Sequence, residues 1–212
     1  MIEWFTAQTG AANGLLILIG ICSVVSMTVF IERLLKFQKN ETNTSTLLIR
    51  LRQAIQEKSM LEALNICDQV GGSIATVIRT GLSRHQRTKE EIEAAMELSG
   101  QVEIAAWERN TKLLSMIAHL APLIGLLGTV IGFIQAFAEM RLSGMVDIST
   151  TRLGEAMEFA LVTTACGLAV AIPSVIAYNY LVSRIEQLAL QMRQTASEVV
   201  DLLIYQDDFH AL

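Results

Sequence analysis

Residues 113–138 read LLSMIAHLAPLIGLLGTVIGFIQAFA, 26 positions without one Asp, Glu, Lys or Arg. About 20 such residues in a helix cross a hydrocarbon core. Runs at 11–31 and 159–182, of 21 and 24 residues, are equally free of charge. Each is long enough to span, with tilt for the two longer ones. Across the 212 residues, 52% are apolar and only 17% charged, against roughly 25% charged in soluble domains. So much apolar surface excludes a disordered chain. Just two prolines and 6% aromatic residues argue against a turn-rich β architecture. The fold class expected is an all-α membrane protein with three transmembrane helices.

Charge distribution excludes other classes and sets the topology. A net charge of −5 offers no basic field for nucleic acid. Cys22, Cys67 and Cys166 lie too far apart for a CxxC-type redox or zinc signature. Of 16 basic residues, 12 fall between Ile31 and Leu113, with Arg33, Lys36, Lys39, Arg109 and Lys112 close to span ends. Positive charge stays in the cytoplasm. The N-terminus is therefore expected outside, the large loop inside and the C-terminal tail inside. The first run lacks a basic n-region and exceeds an ordinary signal-peptide core, so it reads as a retained span. The expected order is an outer N-terminus (1–10), a first span (11–31) and a cytoplasmic domain (32–112). A second span (113–138), an outer connection (139–158), a third span (159–182) and a cytoplasmic C-terminal helix (183–212) follow.

The cytoplasmic part reads as helical. Leu47, Leu48, Leu51, Ala54 and Ile55 recur at helical spacing. Ser59 with Glu62 forms a capping-box pattern that starts a short helix through Cys67. Gly71-Gly72-Ser73 marks a break. Ile74, Val77, Ile78 and Leu82 suggest another helix, ending near Gly81 or shortly after. Thr88 with Glu91 is a second capping box, and Glu90, Glu91, Glu93 and Glu97 suit a helix start. From there one helix is expected to run to about Met140, about 78 Å at 1.5 Å per residue. The third span likewise continues inward, since residues 174–206 lack glycine and proline. Its stripe of Ile185, Leu188, Met192, Val199 and Leu202 needs apolar partners, which neighbouring subunits would supply most economically, the alternative being the helices of residues 40–85 in the same chain.

Within the second span, Gly128 and Gly132 form a GxxxG that Ala136 extends by one turn, and Gly125 precedes it. Small residues so spaced let another backbone approach closely, and helix packing is the reading preferred for them. Pro122 removes one helical hydrogen bond and is expected to kink the helix. His119, the only histidine in the three runs, reads as locally satisfied. Thr129 lies about 24 Å from Leu113 and about 14 Å from Ala138 along the axis. Thr163 and Thr164 follow about 6–8 Å below Phe159. If the outer ends are level, Thr129 and Thr164 fall within one to two turns of each other. Two readings stand: hydroxyls lining a wet passage, or hydroxyls bonded to their own i−4 carbonyls. Glu158, with Glu155 one turn before it, sits at the outer mouth of the third span. No Asp, Glu, Lys or Arg lies deep in any span, whereas a proton-driven machine needs a carrier at depth. A partner chain would have to bring it. No nucleophile–base pair, metal cluster or carboxylate dyad suggests an enzyme, a cofactor or a metal site.

The blocks APLIGLLGTVIGF (121–133) and ALVTTACGLAVAIPSVIAYN (160–179) resemble the signature of the ExbB/TolQ/MotA family of proton-channel stator proteins, most closely its ExbB and TolQ branch. Glu32-Arg33 at the end of the first span also fits. The resemblance implies a homo-pentamer in the bacterial inner membrane whose second and third spans line a central pore. Two copies of a single-span protein of the ExbD/TolR type would occupy that pore and bring an essential aspartate. Work would pass to a TonB- or TolA-like protein, energising uptake of siderophores and vitamin B12 in ExbB-like systems. By motif, Thr129 and Thr164 map onto the threonines that face the partner's aspartate, and Gly167 and Pro173 fall in the third-span block. The family glutamate lies five residues before the Thr164 equivalent, where this chain has Phe159. Glu158 is one residue further out, rotated by about 100°. TolQ-like and gliding-motor roles, protons or sodium as the ion, and a passive membrane scaffold remain open alternatives at this point.

Overall fold

The computed structural model describes residues 10–39, 44–57, 59–142 and 150–208. These form helices α1 (Gly10–Lys39), α2 (Thr44–Gln56), α3 (Met60–Val70), α4 (Gly72–Leu82), α5 (Lys89–Leu142) and α6 (Thr150–Asp208). There is no strand among the described residues. Helices α1, α5 and α6 are each long and apolar enough to cross a membrane. Most of the 1–10 segment, and residues 143–149 of the outer connection, lie outside the described residues. Helix α6 begins at Thr150, ahead of the uncharged run. The loss of charge marks the hydrocarbon width, whereas a helix continues wherever its termini suit it.

The chain divides into two compact units. One comprises residues up to Glu32 with Thr111–Tyr180; the other comprises Arg33–Asn110 with the residues from Leu181 onward.

In the second unit, α2 buries Leu47, Leu51, Ala54 and Ile55, the stripe read from the sequence. Ser59 is the N-cap of α3, but its side chain makes no capping bond. At φ −96°, ψ 76° it contributes only its carbonyl, which accepts the Ala63 N–H at 3.0 Å. The expected capping box is therefore absent there. At α5 the Thr88 hydroxyl does accept the Glu91 N–H at 3.4 Å. Gly71 and Gly72 adopt φ of +64° and +84°, a region glycine enters without steric cost, and this divides α3 from α4. The core joins Ile74, Val77, Ile78 and Leu82 to Ile92 and Met96 of α5 and to Met192, Val199, Val200 and Leu203 of α6.

That core corrects one expectation. The inward stripe of α6 finds its partners within the same chain: Ile185, Met192 and Val199 are buried, and Leu188 packs against the core. Leu203, rather than Leu202, completes it. Periodicity identifies a face but not what covers it, and α2 to α4 together offer more apolar surface than their short lengths suggest.

Cys67 is buried in this core. Burial, reinforced by the neighbouring Asp68 carboxylate and only partly offset by Arg79, pushes its thiol up to about 11. It is thus a packing residue, protonated at neutral pH and a poor nucleophile.

Truncating fully buried Leu51 to alanine is expected to cost about 2–5 kcal/mol. Leu61→Ala, at a side chain 79% exposed, is expected to cost under about 0.5 kcal/mol. Denaturant unfolding of the detergent-solubilised protein compares the two.

Candidate functional site

In the first unit, small residues decide how closely two helices approach. Gly125 of α5 faces α6 so tightly that a Cβ there would stand 3.0 Å from both the Thr163 carbonyl oxygen and the Thr164 Cα. One turn on, a Cβ at Gly128 would overlap the Thr163 hydroxyl and lie 2.6 Å from its Cβ. At Gly132 it would meet the Ala160 Cβ at 2.7 Å and the Ala156 carbonyl at 2.9 Å. From the other side, a Cβ at Gly167 would come within 2.6 Å of the Ala121 carbonyl and 3.1 Å of the Gly125 Cα. Ala121, Ala136, Ala160 and Ala171 are buried along the same seam. This is close backbone approach through small residues.

The two adjacent threonines of α6 divide their work. Thr163 is fully buried and fills the notch at Gly128. Its hydroxyl donates to the Phe159 carbonyl (3.1 Å) or the Ala160 carbonyl (3.0 Å) of its own helix. Thr164 instead donates across the seam to the Gly125 carbonyl at 3.0 Å, with the Ala160 carbonyl a second acceptor at 3.3 Å. Thr129 is half-buried and donates to the Leu126 carbonyl at 2.6 Å. Thr164 therefore lies level with Gly125, offset from Thr129 by about 6 Å along the α5 axis, roughly one helical turn. Each hydroxyl keeps its acceptor lone pairs.

Phe159 is buried and Glu158 exposed. Helix α6 is unbroken around them, so no local distortion turns the Glu158 carboxylate into Phe159's direction. His119 donates from Nδ1 to the Ser115 carbonyl at 2.7 Å, satisfied one turn away. Pro122 and Pro173 sit inside α5 and α6, which continue past them.

Two polar arrangements were not legible beforehand. Ser26 of α1 and Ser174 of α6 are both buried, their hydroxyl oxygens 2.7 Å apart. Ser174 gives its proton to the Val170 carbonyl at 2.7 Å, so Ser26 is the donor to Ser174. A lone serine in an apolar helix carries no periodic signal. In the other unit, Arg33 is 5% exposed, its guanidinium 5.7 Å from the Trp107 ring centre. Trp107 stacks on Phe37 at 4.4 Å and donates Nε1–H to the Ser73 hydroxyl at 3.0 Å. Only the position of Arg33 after an uncharged run hinted at this cation–π contact.

A seam of glycines between long apolar helices, with the Thr163 and Thr164 hydroxyls on it, defines a helical membrane protein. Residues 69–194 match the MotA/TolQ/ExbB proton channel family, and the chain belongs to that family. It is 30% identical over 186 residues to an ExbB homolog of Methanothermobacter thermautotrophicus, covering 88% of this chain and 64% of that one. It is 44% identical over 85 residues to the biopolymer transport protein ExbB of Helicobacter pylori, covering 40% and 57%. Over 91 residues it is 41% identical to the Tol-Pal system protein TolQ of Haemophilus influenzae, covering 43% and 39%. The matched regions thus span less than two thirds of these relatives.

Gly128→Val is expected to force α5 and α6 apart and lower the unfolding midpoint in detergent, because the displaced atoms belong to a packed threonine. Gly20→Ala, where nothing lies within 4 Å, is expected to leave the midpoint unchanged.

Proposed function

We propose that this chain is the ring-forming subunit of an energy-coupling motor in the bacterial inner membrane, with its N-terminus in the periplasm and C-terminus in the cytoplasm. Five copies surround a pore lined by the membrane parts of α5 and α6. Two copies of an ExbD/TolR-type single-span protein stand in it, each contributing an aspartate. One observation carries the reading: the Thr164 hydroxyl reaches across a membrane-spanning seam to the Gly125 carbonyl, Thr129 stands one turn further along α5, and no Asp, Glu, Lys or Arg lies in the uncharged runs that form that seam. A proton path through apolar helices needs a titratable group, and hydroxyls that donate and accept are suited to solvate one brought from outside.

In this reading the partner's carboxylate takes a proton from one side, is neutralised, and passes the apolar lining at lower cost than the charged form. The threonines hold it in register. The Gly125, Gly128, Gly132 and Gly167 seam, with Ala136, keeps the wall rigid as the partner moves, while Pro122 and Pro173 free backbone carbonyls in the same wall. Glu158, exposed at the outer mouth, gathers cations rather than replacing the family glutamate. One charge crossing 100 mV releases about 2.3 kcal/mol, so several per stroke drive a substantial conformational change. The work passes to a TonB-like protein for uptake across the outer membrane. The TolQ similarity supports a second reading in which a TolA-like protein receives it for the Tol-Pal envelope system. A passive scaffold is the competing class.

Thr129→Val and Thr164→Val are each expected to abolish partner-dependent proton flux in proteoliposomes while native mass still reports an assembled ring. Wild-type flux in both variants would remove the threonines from the mechanism.

A further inference from the structure

The ring of His119 is exposed on α5, within the second span. A carbonyl oxygen can only accept, so the 2.7 Å contact with the Ser115 carbonyl places the proton of the neutral ring on Nδ1. The lone pair is then on Nε2. One backbone bond thus fixes the tautomer and leaves the opposite nitrogen as the acceptor. Of the residue types in the three uncharged runs, only histidine ordinarily changes charge between roughly pH 5 and 8. The runs hold no Asp, Glu, Lys or Arg, and their other titratable side chains are Cys22, Cys166, Tyr178 and Tyr180. The nearest charge on α5 is Lys112, at the cytoplasmic end in the topology proposed above.

Height and direction matter as much as chemistry. His119 is six residues from Leu113 and six from Gly125, about 9 Å each way along the axis. It stands midway between the cytoplasmic end of the span and the level at which Thr164 bonds to α5. Counted from Gly125, Thr129 is turned about 40° around α5 and His119 about 120° in the same sense, whereas Gly128 is turned about 60° the other way. The ring therefore leaves the seam on the flank that carries Thr129. Pro122, between the two levels, has no N–H to offer the Ala118 carbonyl, which adds a backbone acceptor one residue from His119.

We propose that His119 is the inner relay of the proton path, its Nε2 accepting the proton that leaves the partner's carboxyl group and passing it to cytoplasmic water. The proposal rests on the pore reading above. In the first step an N–H bond forms at Nε2 as the O–H bond of the carboxylic acid, or of a water joined to it, breaks. This gives imidazolium and a carboxylate. In the second step the same Nε2–H bond breaks toward water, and the neutral ring returns with Nδ1–H still on the Ser115 carbonyl. One proton moves inward and nothing else is consumed. From Leu120 to Ala138 the second span holds no titratable side chain, so His119 receives what the partner's aspartate delivers and does not replace it.

The test is proton flux, driven by a membrane potential, in proteoliposomes that hold the full chain and its single-span partner, with native mass reporting the assembled ring. His119→Gln, which keeps a side-chain donor, is expected to lower the flux about 100-fold, the low end of what a positioned proton-transfer group contributes. His119→Ala is expected to lose it as well. Added imidazole, a diffusible copy of the missing ring, should restore flux to His119→Ala in proportion to its concentration and leave the unmodified chain unchanged. Undiminished flux in both variants, or a loss in the assembled ring that imidazole does not restore, overturns the relay and leaves the pore reading standing. No partner-dependent flux from the unmodified chain overturns the pore reading and the relay with it.

Discussion

The structure depends on how closely two backbones can lie inside the membrane. Burying apolar side chains against each other gains little where the solvent is itself apolar, so association rests on van der Waals contact and on hydrogen bonds. Gly125, Gly128, Gly132 and Gly167 remove the side chains that would hold α5 and α6 apart. Only then can the Thr164 hydroxyl reach a carbonyl on the other helix. The geometry of the hydroxyls is a consequence of the glycines. The Ser26–Ser174 hydrogen bond then ties α1 to α6 at a point where neither hydroxyl has water to turn to.

The second unit follows different physics. In water, apolar burial is worth about 25 cal/mol per Å², and α2, α3 and α4 supply a compact core that α5 and α6 complete. Arg33, at the start of this unit, is buried with its guanidinium 5.7 Å from the Trp107 ring centre, a cation–π contact that attracts the charge to the ring face. The ion pairs on its surface, such as Arg52–Glu198 at 3.0 Å, are exposed and contribute little beyond orientation.

Much of this was legible in the sequence, because the strongest signals are one-dimensional. Uncharged runs locate the three spanning helices, Gly71-Gly72 marks a chain break, and Thr88 with Glu91 starts α5. The failures share a cause: they depend on which residues meet. Ser59 has the right partner spacing but the wrong backbone angles for a side-chain cap. The stripe from Ile185 to Val199 is real, and its cover comes from helices of the same chain rather than from neighbouring copies, a choice between two possible covers that periodicity does not make. Thr163 and Thr164 are adjacent, and only the rotation of α6 decides that the first fills a notch while the second reaches across. Phe37, Ser73 and Trp107 converge from three helices, which no local pattern records.

The functional account reduces to a division of labour, in which this chain supplies a neutral wall and another molecule supplies the moving charge. The most direct measurement is proton uptake by liposomes holding the purified chain alone, compared with liposomes that also hold a single-span partner bearing a membrane-embedded aspartate. The account predicts no flux above the lipid background for the chain alone, flux when the partner is present, and its loss when that aspartate becomes asparagine. Sustained, selective proton conduction by the chain on its own would contradict it.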